Sequence, residues 1–154
     1  MCNYVDYQGI IVKVESDLIS PLNFSLRKGT IPSFKVLETE LSYAFLDVNP
    51  LAKGHTVGGS TERCAFIPDA LVNFAYESLA DLLPVAKRVA KALDAPNYNI
   101  LQNNGKLAHQ VVEHVHFHII PKPNEEEGLG VGWPGKTADK EELKALAEQI
   151  SAKI

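Results

Sequence analysis

The run His114-Val115-His116-Phe117-His118 places three of the chain's five histidines within five residues. On a strand, alternate side chains point to opposite faces. The three imidazoles then share one face, spaced ~6.6–7 Å along the strand per pair of residues, while Val115, Phe117 and Ile119 take the other and can enter a core. Such a row admits three readings. It can be a solvated polar face, although Thr, Ser or Lys would serve there as well as rings that titrate near neutrality. It can hold a metal, because two His at i and i+2 bind zinc and a catalytic zinc often has three protein ligands. Against this, a straight strand spreads i and i+4 far for facial ligation, and no acidic or Cys ligand stands in a supporting motif. Or one neutral imidazole attacks as a nucleophile while its neighbours orient it and move protons.

The elements that must position these rings follow from patterning. Residues 10–14 could form a strand. Residues 34–38 and 42–47 read as two strands joined by a short polar turn, and Asn49-Pro50 and Lys53-Gly54 then break the chain. Over residues 78–93, Leu79, Leu82, Leu83, Ala86, Val89, Ala90 and Leu93 recur at helical spacing. Pro84 argues for a start nearer Leu83 or a kink, and Asp94-Ala95-Pro96 for the end. Residues 98–102 are strand-like, Asn103-Asn104-Gly105 supplies a turn, and residues 111–120 form the histidine strand. A closing helix over 139–154 carries Leu143, Leu146, Ala147 and Ile150 on one side. An antiparallel sheet with one long helix and a terminal helix gives an α+β class.

Bulk properties narrow the function. The 154 residues suit one domain with a single core. A net charge of −4 gives no basic field for a nucleic-acid backbone. Cys2 and Cys64 lie far apart, with no spacing for a disulfide framework or a zinc site. No apolar run reaches the ~20 residues that span a bilayer, and the acidic N-terminal stretch makes a poor signal peptide. The expectation is a cytoplasmic or nuclear protein without a membrane or nucleic-acid-polymer partner.

His114-Val115-His116-Phe117-His118-Ile119-Ile120 resembles the signature of the histidine-triad superfamily: histidine, apolar, histidine, apolar, histidine, then two apolar residues. Further stretches are similar to its nucleotide-binding, adenosine phosphoramidase branch. They are Ile31-Pro32-Ser33-Phe34, Ala44-Phe45-Leu46-Asp47, Gly54-His55, Leu101-Gln102-Asn103-Asn104-Gly105, His109-Gln110 and Gly132-Trp133-Pro134. The resemblance implies a purine nucleotide substrate (AMP conjugates), hydrolysed to AMP and amine without cofactor or metal; the alternatives are dinucleoside polyphosphate hydrolysis and a nucleotide-binding regulatory or interaction protein with little turnover. It makes His116 the nucleophile, His114 the group that fixes its tautomer, and His118 the ring that binds phosphate oxygen and assists the leaving amine. His55 would lie beside the phosphate and Asp47 on the ribose hydroxyls. Ile31, Phe45 and Val48 would wall the base. Asn103, His109, Gln110 and Val111 would approach the phosphate, Val111 through its backbone alone because relatives carry a hydroxyl residue there. The resemblance also implies a homodimer, with Trp133 near the partner's site.

Two stretches depart from that pattern. Residues 1–25 are atypical and lack a Cys-x-x-Cys start, whereas 26–154 form the domain. Within it, residues 56–77 replace an apolar central strand with glycines and charges. A shifted reading frame is one hypothesis for them, which the coding DNA tests. Loss of that strand would remove ladder hydrogen bonds and apolar burial from both neighbours.

Overall fold

The computed structural model describes residues 2–5, 11–14, 33–61, 79–112 and 114–154. Strands β1 (Cys2–Val5) and β2 (Ile11–Val14) pair antiparallel, with Cys2 opposite Val14. The main sheet is built from β3 (Lys35–Glu38), β4 (Ser42–Leu46), β5 (Thr56–Ser60), β6 (Tyr98–Leu101) and β7 (His116–Pro121). Its order is β3-β4-β5-β7-β6, antiparallel throughout. With helices α1 (Leu82–Ala92) and α2 (Lys140–Ser151), this is the expected α+β architecture.

The expectation of a failed central strand is corrected. Thr56-Val57-Gly58-Gly59-Ser60 pairs with β4 on one side and β7 on the other, and all five residues are buried. Ladder bonds join backbone N–H and C=O groups, so a strand with few side chains keeps them all. The missing apolar bulk comes from neighbours. A Cβ added at Gly58 would stand 3.9 Å from Ile119 Cδ1 and 4.0 Å from Ala44 Cβ. Residues 62–78, which include the rest of the atypical stretch and the first residue of the expected helix, lie outside the described residues.

Register separates the two faces of the sheet. Ala44, Gly58 and Phe117 align on one face, where Ala44 and Ile119 pack against Val85, Ala86 and Val89 of α1, with Leu37 alongside. Phe45, Val57, His118 and Leu101 align across the other face, and Tyr43, Gly59 and His116 do the same. One face therefore holds the core under α1, and the other presents the histidines.

Helix α1 begins where its proline permits. Pro84 is its third residue, in the first turn, where backbone N–H groups have no intrahelical acceptor. It ends in a Schellman motif with Asp94 at φ 48°, closed by Ala95 N–H to Ala90 O and Asp94 N–H to Lys91 O, both 3.1 Å. Asp81 stands at the N-cap but does not cap the helix with its side chain. Its carboxylate instead accepts from Thr39 Oγ1 and Ser42 Oγ, tying the helix start to the β3–β4 turn.

The histidine strand also starts later than its sequence pattern suggests. Residues 106–108 form one 3₁₀ turn, His109 follows with φ 62°, and β7 begins only at His116. Helix α2 is capped by Asp139, whose Oδ1 accepts from the N–H groups of Glu141 and Glu142. None of its residues is buried, and Leu143, Leu146 and Ile150 are half exposed.

Candidate active site

Two segments meet on the face opposite α1. Strand β7 brings His116 and His118, whose ring centroids are 5.1 Å apart. The loop between β4 and β5 brings Asp47 and His55. Asp47 Oδ1 accepts the N–H of Asn49 at 2.8 Å, Asp47 N–H donates to His55 O at 2.9 Å, and His55 N–H donates to Ala52 O at 3.0 Å. Gly54 makes the turn into His55 at φ 88°, where a Cβ would lie 2.8 Å from Leu93 Cδ2. Both the backbone conformation and the space call for glycine.

Backbone atoms decide the proton positions of the rings. His116 Nδ1 lies 2.6 Å from the carbonyl of His114, which can only accept. Nδ1 therefore carries the proton, and Nε2 keeps its lone pair. The contact comes from the carbonyl of His114 and not from its ring. That ring precedes the strand, is buried, and directs Nε2 to the carbonyl of Ser60 at 3.0 Å.

His55 is held in the opposite sense. Its Nδ1 accepts the N–H of Leu51 at 3.2 Å, and the Leu51 carbonyl accepts Gly128 N–H at 2.9 Å. A neutral His55 thus carries its proton on Nε2, which lies 2.9 Å from His118 Nδ1. His118 accepts there, and its own proton sits on Nε2.

Burial is the main influence on charge. It lowers the pKa of His116 below the usual imidazole value, with the His114 carbonyl opposing. His118 is pushed down to about 4, first by burial, then by the neighbouring His116 and His55 rings. Burial also lowers His55. Asp47 opposes all three shifts, and its Oδ2 stands 3.6 Å from His55 Nε2 and 3.9 Å from His118 Nδ1. Burial thus favours the neutral form of all three rings in the free protein.

Asp47, His55 and His118 place three ligand atoms within 4.8 Å of one another. Their surroundings do not fit a metal. A metal-bound His donates its remaining N–H to an acceptor, whereas His55 Nδ1 faces a backbone donor. The arrangement fits a hydrogen-bonded imidazole pair beside a carboxylate.

The other expected residues are placed unevenly. Phe45 is buried with Tyr43 and Val57 on the histidine face, in line with His118. Val48 is half exposed next to Asp47, and Val111 is largely exposed. Asn103, His109 and Gln110 bond within their own loop: Asn103 Nδ2 donates to His109 O at 3.4 Å, and Gln110 Oε1 accepts Gly105 N–H at 2.7 Å. Ile31 lies outside the described residues. The Leu51 amide and the Ser60 carbonyl are contributors that the sequence reading missed, because backbone groups carry no side-chain signal.

Comparison with known proteins bears on the same residues. The HIT domain family matches residues 28–125. The adenosine 5'-monophosphoramidase hnt1 of Schizosaccharomyces pombe is 56% identical over 127 residues, covering 82% of this chain and 92% of the relative. The adenosine 5'-monophosphoramidase HNT1 of Saccharomyces cerevisiae is 49% identical over 127 residues, covering 82% and 78%. A histidine triad nucleotide-binding protein from Candida albicans superposes with a TM-score of 0.78 at 43% identity, covering 87% of this chain and 96% of that one. With its histidine run leading into a central strand of an antiparallel sheet, the chain belongs to the histidine-triad (HIT) family.

Proposed function

We propose that this protein hydrolyses adenosine 5′-phosphoramidates to AMP and amine, with His116 Nε2 as the nucleophile. The observation that carries this reading is the His116 Nδ1–His114 carbonyl bond at 2.6 Å, which leaves Nε2 unprotonated and free to attack. The phosphoramidase relatives supply the substrate class.

An anionic phosphate placed among the rings raises their proton affinity, so substrate binding brings the proton that the free site lacks. His116 Nε2 forms a bond to phosphorus as the P–N bond breaks, and the departing nitrogen takes its proton from His118 Nε2. Water then attacks the nucleotidyl-His116 phosphorus, His118 accepts the water's proton, and AMP leaves with neutral His116 restored. The base would lie over Phe45 and Val57, and Asp47 would reach the ribose.

A homodimer accompanies this reading. β6 is a terminal strand of the sheet among the described residues, and its outer edge can pair with a second copy. Trp133, which is 88% exposed, is then available to the partner's site.

Amine release from an AMP–amine conjugate tests the proposal with wild type and His116→Ala, each with and without chelator. Turnover in wild type alone, indifferent to chelator, is expected. Turnover that persists in His116→Ala removes His116 as nucleophile. AMP binding without turnover in wild type makes the protein a nucleotide-binding regulator, and loss with chelator restores a metal.

A further inference from the structure

We propose that His55 is a positioning residue that sets the proton of His118, rather than a phosphate ligand in its own right. The inference deepens the phosphoramidase reading and rests on it for its kinetic consequences. Its structural part stands alone.

A neutral imidazole has one N–H, and only its partners decide which nitrogen carries it. For His116 the partner is a backbone carbonyl two residues back on the chain. Among the described residues no carbonyl accepts from His118 Nδ1. The polar atoms that face it there are His55 Nε2 at 2.9 Å and Asp47 Oδ2 at 3.9 Å. With His55 alone this contact would be ambiguous, since either ring could donate. The Leu51 N–H removes the ambiguity, because it faces His55 Nδ1 at 3.2 Å and cannot accept. A proton on Nδ1 would oppose that amide, so it must sit on Nε2 and be donated to His118. His118 is left with Nε2–H, the nitrogen on the far side of its ring from the pair.

The same lock decides where an added proton goes. His55 cannot become an imidazolium without placing Nδ1–H against the Leu51 N–H. A proton taken up at His118 with substrate enters on Nδ1 and breaks the bond from His55 Nε2–H, and the Asp47 carboxylate, 3.6 Å from His55 Nε2 and 3.9 Å from His118 Nδ1, is the acceptor to which one of the two N–H groups turns. His55 thus acts through His118. The groups facing the pair are Asp47 from the loop and His116 from β7, whereas His114 turns its ring to Ser60.

The test pairs two polar substitutions that mimic opposite ends of the ring. In His55→Gln the amide N–H₂ can occupy the position of Nε2 and still donate to His118. In His55→Asn the shorter amide can satisfy Leu51 but not reach His118. Kinetics with an AMP–amine conjugate should leave kcat within about threefold in His55→Gln and lower it about tenfold or more in His55→Asn, the scale of losing an oriented proton donor. A rise in KM of equal size in both variants, with kcat unchanged, overturns the proposal in favour of direct phosphate contact. Equal loss of kcat in both overturns it as well.

Nitrogen NMR of the histidine-labelled free protein, above the imidazole titration range, reads the tautomer directly and needs no turnover. His118 as Nε2–H and His55 as Nε2–H are expected in wild type. Either ring as Nδ1–H overturns the inference even if both variants fail to fold. Absence of turnover in wild type would sink the phosphoramidase reading while leaving the tautomer result intact, so the two failures are distinguishable.

Discussion

Strand β7 and the loop of residues 47–55 both deliver imidazoles to the site, and they secure them differently. His116 bonds to the carbonyl of His114 within the same segment. His55 depends on a chain of contacts: Gly54 in a left-handed conformation, the Leu51 amide, and Gly128 holding Leu51 from elsewhere in the sequence. A locally held ring should tolerate changes to the rest of the fold, whereas one held by a loop should answer to each of its supports. Damage on β7 should therefore appear in the chemistry, and damage in the loop should appear first in stability and ring orientation.

The largest effect expected is on β7. His116→Ala should lower kcat/KM by roughly 10⁴-fold or more, as removal of a nucleophile does, while the urea midpoint moves comparatively little. A midpoint collapse of the same variant would erase the contrast between the two segments.

Next comes acid. Folding lowers the pKa of His118 from 6.5 to about 4, so between those values the unfolded chain binds a proton that the folded chain refuses. Stability from this ring is complete above about pH 6.5 and falls as pH drops to about 4, by roughly 3 kcal/mol in total. His55 and His116 contribute with the same sign. Urea midpoints of wild type and His118→Gln across this window should converge as pH falls. Parallel curves would mean that His118 holds its proton equally in both states.

Gly54→Ala should cost about 1–3 kcal/mol, from strain at φ 88° and the contact with Leu93. Adding Leu93→Ala relieves the contact and leaves the strained backbone, so a full return of the midpoint would show that conformation is not what Gly54 supplies. Gly58→Ala is the control within the sheet. Its Cβ would meet only ordinary contacts at 3.9 and 4.0 Å, and the midpoint should stay within about 1 kcal/mol of wild type.

The sequence made the triad legible because three rings at period two on a strand are a side-chain pattern, and so is the helical stripe from Leu82 to Leu93. Pro84 announced where α1 begins for a stated reason, the missing N–H. Strand β5 was misread for the complementary reason. Gly58 and Gly59 carry nothing that a hydrophobic pattern can register, yet their backbone groups pair on both sides. Likewise, no pattern could place the Leu51 N–H against His55, and only the resemblance brought His55 towards His118, 63 residues away. The start of β7 was set too early because the apolar residues Val111 and Val112 extend the pattern without joining the ladder.

Helix α2 raises a different matter, which is time. It has a good cap at Asp139 and no buried residue, and a lone helix of this length is marginal in water. Its amides should exchange with deuterated solvent on the schedule of a free peptide, while those of β5 and β7 wait for the whole sheet to open. Two clocks would then run in one chain. Removing residues 139–154 should stop the fast clock and leave the slow one unchanged.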